Sequence, residues 1–342
     1  QLLDAIKATQ TKYGGDTTIS EEKIETEILY NRYDVFKNLF EYYMYASSLM
    51  FLLLIVQIFK DRSKVLHYSV QTFKYLIWVC FGLHTLGLIA RWYISGHAPW
   101  SDAYESMIYV AWATMAFGVM LGKKSDLTFA STAFVTAMIL MIAHWNWMDP
   151  SIGNLQPVLN SYWLMIHVAI IVGSYGPLTL GMILGLITLL LMILTNAKNK
   201  EKMALNIKEL TIINEMALTV GLVMLTIGNF LGGMWANESW GRYWGWDPKE
   251  TWALISIMIY AFVIHMRLIP GLRSRFGFSV ASVLAYGSIM MTYFGVNFYL
   301  AGLHSYAKDD QEISLTYIAA TLISLTFISI LAYRKHKKYF LK

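Results

Sequence analysis

Residues 235–252 read Trp235-Ala-Asn-Glu-Ser-Trp-Gly-Arg-Tyr-Trp-Gly-Trp-Asp-Pro-Lys-Glu-Thr-Trp252, which sets Trp235, Trp240, Trp244, Trp246 and Trp252 within eighteen positions. Gly241 and Gly245 separate the tryptophans, and Asp247-Pro248 favours a turn over a continued helix. Aromatic faces bind large planar π-systems, and Arg242 and Lys249 offer cations to acidic groups on a ligand's rim. A haem, with an apolar macrocycle and two propionates, is a ligand of that description. The competing reading for any one tryptophan is an aromatic belt at a membrane interface.

On both sides of this segment the chain is apolar for about the length of a membrane crossing. Of 342 residues, 56% are hydrophobic and 14% charged, and the apolar runs recur at 42–59, 73–94, 104–121, 127–143, 162–194, 212–231, 252–268, 279–301 and 314–333. The expected fold is therefore all-α, a polytopic transmembrane helical bundle of about nine spans. No strand-like alternation is visible, and helices satisfy their own backbone in lipid. Lys and Arg collect at one set of connections: Lys60–Lys64, Lys123-Lys124, Lys198–Lys208, Arg267–Arg275 and Arg334–Lys342. The other set holds little beyond Arg91, Arg242, Lys249 and Lys308. The positive-inside bias then predicts an external N-terminus, a cytoplasmic C-terminus and an external tryptophan segment. These basic connections account for the net charge of +5, which is no ground for expecting nucleic acid as a partner. Membrane lipid is the expected surrounding. Cys80, the single cysteine, rules out a disulfide framework and reads as a packing residue.

The wording WGRYWGWDPKETWALI, residues 240–255, resembles the tryptophan-rich "WWD" signature of haem-handling proteins in cytochrome c maturation. Its GWDPKETW core is similar to the CcsA branch of the CcsBA-type (System II) cytochrome c synthases. The CcmC and CcmF branches of that superfamily carry looser versions. The resemblance runs over nearly the whole chain after residue 41. It implies residues 42–342 as a transmembrane haem-handling domain, with its external segment at 232–252. Residues 1–41 are polar and helix-prone, with Asp16, Glu21, Glu22, Glu25 and Glu27. They are expected to be the end of a CcsB-like external domain within a longer fusion.

Iron requires axial ligands, and neutral imidazole is a common one. His167, in Tyr162-Trp-Leu-Met-Ile-His167, and His304, in Leu300-Ala-Gly-Leu-His304, fall at the ends of spans on the level of the tryptophan segment. In the resembling family an external histidine pair brackets that segment in this chain order. The resemblance thus implies His167 and His304 as axial ligands of the haem iron. The bland alternative is two interfacial histidines bonded to loops. His265 lies within a span near its basic end; the resemblance implies an inner haem site, completed by a histidine of a CcsB-like half. His84, inside the second span, is open to helix–helix hydrogen bonding or to that partner role. His97, in Gly96-His-Ala-Pro99, resembles a motif of the family's first external loop. His144 reads as interfacial, and His67 and His336 as solvated.

Asp247 and Glu250 admit an acid–base reading, but nothing else in the chain points to hydrolysis. The favoured reading is a helix cap, with Asp247 as N-cap, Pro248 at N1 and Glu250 at N3. The function the resemblance implies is transport of haem b across a bacterial-type inner membrane. Its attachment to the CxxCH segment of an apocytochrome c follows, a haem-lyase type of reaction. A haem exporter or chaperone without ligation, and a b-type electron-transfer subunit, are the alternatives. Thioether formation asks the protein for no nucleophile, since the apocytochrome supplies the thiols; positioning is the protein's part.

Overall fold

The computed structural model describes residues 2–13, 20–59, 63–123, 125–144, 148–153, 161–300, 302 and 315–340. Among them nine helical segments are long and apolar enough to cross a membrane, as the apolar runs predict. The helices are α1 (Leu2–Tyr13), α2 (Glu21–Tyr33), α3 (Val35–Phe59), α4 (Lys64–Ser95), α5 (Ala103–Leu121) and α6 (Asp126–His144). They continue with α7 (Tyr162–Leu194), α8 (Lys200–Trp240), α9 (Pro248–His265), α10 (Arg275–Met290), α11 (Val296–Tyr299) and α12 (Leu315–Tyr339). A single π-helical turn, Met291–Gly295, joins α10 to α11.

The helices outrun the apolar stretches that announce them. The apolar run at 212–231 sits inside α8, which runs for 41 residues. At 1.5 Å per residue that is about 60 Å, twice the hydrocarbon thickness of a bilayer. Nothing in Lys200–Thr211 breaks the helix; it stops only at Gly241, whose left-handed backbone (φ 68°) returns its N–H to the Asn237 carbonyl. Most of the described polar residues before α3 are likewise helical, in α1 and α2. α2 packs on α4, and Asp34 alone, at φ 39°, interrupts its run into α3.

α7 is the hub of the bundle, packed against α5, α6, α8, α10 and α12. Its small residues set how near the neighbours come: a Cβ on Gly176 would stand 2.7 Å from the Ala113 backbone carbon of α5. Such close approach is how helices associate in lipid, where burial from water gives no drive. Thr114 donates to the Val110 carbonyl of its own helix at 2.7 Å and Ser131 to that of Leu127 at 2.7 Å, while Thr136 of α6 donates across to the Ala111 carbonyl of α5 at 3.4 Å. Cys80 is buried in α4, as its packing role predicts.

One expectation is corrected. His336 is not solvated but 7% exposed, stacked between Phe276 and Phe340. The last turns of α12 lie over the start of α10, and a charged neighbourhood in the sequence does not reveal such a cover. His67 is exposed, as expected.

Candidate functional site

The start of α5, the start of α7, the end of α8, the start of α9 and the π turn meet at one end of the bundle. A cavity of about 240 Å³ opens between them, lined in part by His167, Trp235, Trp244, Lys249, Asp102 and Tyr293. His167 stands in the second turn of α7, and its Nδ1 donates to the Gly228 carbonyl on α8 at 2.7 Å. A carbonyl only accepts, so the proton is on Nδ1 and the ring's lone pair on Nε2. This is the tautomer of a metal-ligating histidine braced through its other nitrogen. Gly232, one turn further along α8, lets the backbone lie against the ring: a Cβ there would be 2.6 Å from His167 Cε1.

The tryptophans divide into two edge-to-face pairs. Trp235 and Trp240 close the end of α8, with ring centroids 4.7 Å apart and planes at 64°. Trp244 and Trp246 form the second pair on the following turn, at 5.7 Å and 89°. Trp235, 1% exposed, and Trp244 face the cavity; Trp246, 70% exposed, projects from the turn. Trp240 backs Trp235, and Trp252 lies on α9 outside the cavity lining. The Trp244 indole N–H is buried without a hydrogen-bond acceptor among the described residues.

Trp246 has φ +56°, a strained conformation for a bulky side chain. Its turn is held by Glu250, whose carboxylate accepts from Gly245 N at 2.8 Å and Asp247 N at 3.2 Å, one on each side of Trp246. Asp247 accepts from Lys249 N at 3.0 Å, and the two acids complete a capping box with Pro248 opening α9. The capping reading of Asp247 and Glu250 is therefore what the geometry shows. Lys249 lines the cavity, whereas the Arg242 guanidinium folds onto Gly245, where a side chain on that glycine would stand.

The opposite wall was not singled out from the sequence. Trp100 donates its indole N–H to the Met165 carbonyl of α7 at 3.2 Å and packs on Tyr109, 4.9 Å between centroids. Beneath it, Arg91 and Glu105 form a buried ion pair, Nε to Oε1 2.8 Å. Arg91 also donates to the carbonyls of Pro150 and Ser151, at 2.8 and 2.9 Å, and lies over the Tyr104 ring. Glu105 accepts from Ser101 N at 2.9 Å, which fixes the Trp100–Asp102 loop. Asp102 caps α5 at the cavity rim, its carboxylate accepting from Glu105 N at 2.7 Å. An ionisable residue inside an apolar run, such as Arg91, was the available signal. Tyr293 enters through the π turn and donates to the Ala103 carbonyl at 2.9 Å.

The other described histidines are placed elsewhere. His304 lies outside the described residues, but Gly302 sets its backbone against the Asp247 carboxylate and Pro248. His265, near the end of α9, is exposed and bonds the Ala261 carbonyl at 2.7 Å. His84 is not beside it: Nε2 meets the Ile108 carbonyl at 3.1 Å, between the rings of Phe36 and Tyr43. His97 ties its loop together through Ser101 and Ala98, and His144 is exposed.

The sequence model of the family "Cytochrome C assembly protein" matches residues 100–304. Protein NrfI of Wolinella succinogenes is 45% identical over 91% of the chain, and the chain spans only 34% of NrfI. Cytochrome c biogenesis protein CcsA of Prochlorococcus marinus is 34% identical, with 66% of this chain and 80% of that protein aligned. CcsA of Marchantia polymorpha is also 34% identical, over 66% and 84%. In fold the chain is similar to the solved structure of cytochrome c heme lyase CcmF, with a TM-score of 0.55 at 13% identity over 89% of this chain and 51% of that one. The chain is a multi-pass membrane protein of the cytochrome c assembly family, of its CcsA type.

Proposed function

We propose that the cavity beside Trp244 receives haem b for attachment to an apocytochrome c, with His167 as one axial ligand. The observation that carries this reading is the Nδ1 bond of His167 to the Gly228 carbonyl, which braces a cavity-lining ring through the nitrogen opposite Nε2. Three further features of the wall fit a haem. Trp235 and Trp244 supply apolar faces, Lys249 a cation for a propionate, and the Trp244 indole a buried donor. His304 would approach iron from the other side.

The enclosed volume, about 240 Å³, is below the roughly 300–1,000 Å³ that surrounds a whole small ligand. A macrocycle seated here would keep one edge outside the protein, where a CxxCH segment can meet its vinyl groups. Each thioether forms as a thiol sulfur bonds one vinyl carbon and the thiol proton passes to the other, with no net oxidation. The residues here contribute orientation: His167 fixes the plane, the tryptophans its depth, Lys249 its rotation. By the charge asymmetry of the connections this end faces outward in a bacterial-type inner membrane. His265, exposed on α9 near the opposite end, would belong to an inner site completed by a CcsB-like half.

The test is covalent attachment. With its CcsB-like half and haem present, the protein is expected to leave haem on an apocytochrome CxxCH segment, detected as haem that survives acid–acetone extraction. Haem that binds this protein but never becomes extraction-resistant would make it a carrier without ligation.

A further inference from the structure

At the basic end of the bundle, α10 and α12 lean apart and leave a groove of about 650 Å³. Its walls are apolar: Leu189 of α7, Val280, Val283 and Leu284 of α10, and Leu322 and Leu325 of α12. Its end is not. Arg334 and Lys337, one turn apart on α12, stand at the rim with Tyr333, and Arg275 begins α10 at the same level. Both rim cations are exposed. Just behind them lies the buried imidazole of His336, neither of whose nitrogens meets a hydrogen-bond partner among the described residues. Phe276, which lines the groove, stacks on that ring.

We propose that this groove is a binding site for an anionic glycerophospholipid, its phosphate between Arg334 and Lys337 and an acyl chain along α10. The charge pattern decides the class of occupant. An apolar slot between spans accepts any acyl chain. Two cations at the membrane–water level, beside the positive N-terminal end of α10, select a head group with net negative charge. A protein helix seated in the groove would instead have to bring its own carboxylates to the rim. On α7 the groove touches Leu189 and the haem cavity Ile171, about five turns apart, and the groove does not depend on what that cavity does.

The experiment is native mass spectrometry of the full-length protein, delipidated in detergent and titrated with phosphatidylglycerol or phosphatidylcholine of identical acyl chains. The protein is expected to retain phosphatidylglycerol preferentially. Arg334→Gln with Lys337→Gln should weaken that lipid roughly 25-fold, as the product of about fivefold for each cation, and leave phosphatidylcholine unchanged. Leu284→Trp, which fills the slot from α10, should displace both lipids while both rim cations remain. It keeps the question open to test if the double variant fails to fold. Equal retention of the two lipids, or an unchanged phosphatidylglycerol affinity in the neutral variant or in Leu284→Trp, would overturn the proposal. A disulfide between Leu284→Cys and an engineered cysteine on another chain's helix, formed in membranes at full yield, would overturn it as well.

Discussion

His167→Ala is expected to lower haem attachment by more than about 100-fold, because the outer partners of metal ligands alone are worth about 10–100-fold, and a ligand is worth more. The bundle should stay folded, since His167 sits at the cavity edge and is only half-buried. Any haem that still binds should lose its low-spin, two-imidazole absorption. Added imidazole should restore part of both spectrum and activity by filling the vacated position. Gly232→Ala is a finer version of the same experiment. Its methyl would meet His167 Cε1 at 2.6 Å and Nδ1 at 2.8 Å, so the ring must turn while the ligand remains. An unchanged spectrum and attachment rate in His167→Ala would remove this residue from the site.

The second large effect is structural. Arg91 and Glu105 are 0% and 1% exposed, so Arg91→Met leaves a buried carboxylate without its cation. Breaking a buried pair in this way costs about 3–5 kcal/mol, whereas replacing both members by apolar residues is often close to neutral. Arg91→Met should therefore depress the thermal unfolding midpoint in detergent strongly, and adding Glu105→Met should recover at least half of the loss. Haem retention should fall in the single variant too, because Glu105 holds Ser101 and with it the Trp100 wall. If single and double variants were equally destabilised, the pair's charge would not be what fixes that loop.

The parts of this molecule that were legible in the sequence are those written in local pattern. Nine apolar runs match nine helical segments, among the described residues, long and apolar enough to cross a membrane, and Asp247, Pro248 and Glu250 spelled a capping box. Helix ends were less visible. A hydropathy pattern registers membrane depth, and α8 continues past it as a polar helix until Gly241. The two-pair arrangement of the tryptophans was not legible either. Trp235 and Trp240 pair at the end of α8, and Trp244 and Trp246 pair on a turn strained at Trp246 and held by the Glu250 carboxylate. Trp100 and Tyr293 reach the cavity only because α5 and α10 pack beside α7, a tertiary fact with no local signature. His336 shows the converse, a residue in a charged run that packing takes out of water.

Where haem sits is decided by a structure of the protein with haem bound. The predicted result is iron within bonding distance of His167 Nε2, one macrocycle face on Trp244, a propionate at Lys249 and an edge outside the cavity. Haem bound only at His265 or His84, with the cavity beside His167 holding none, would contradict the account.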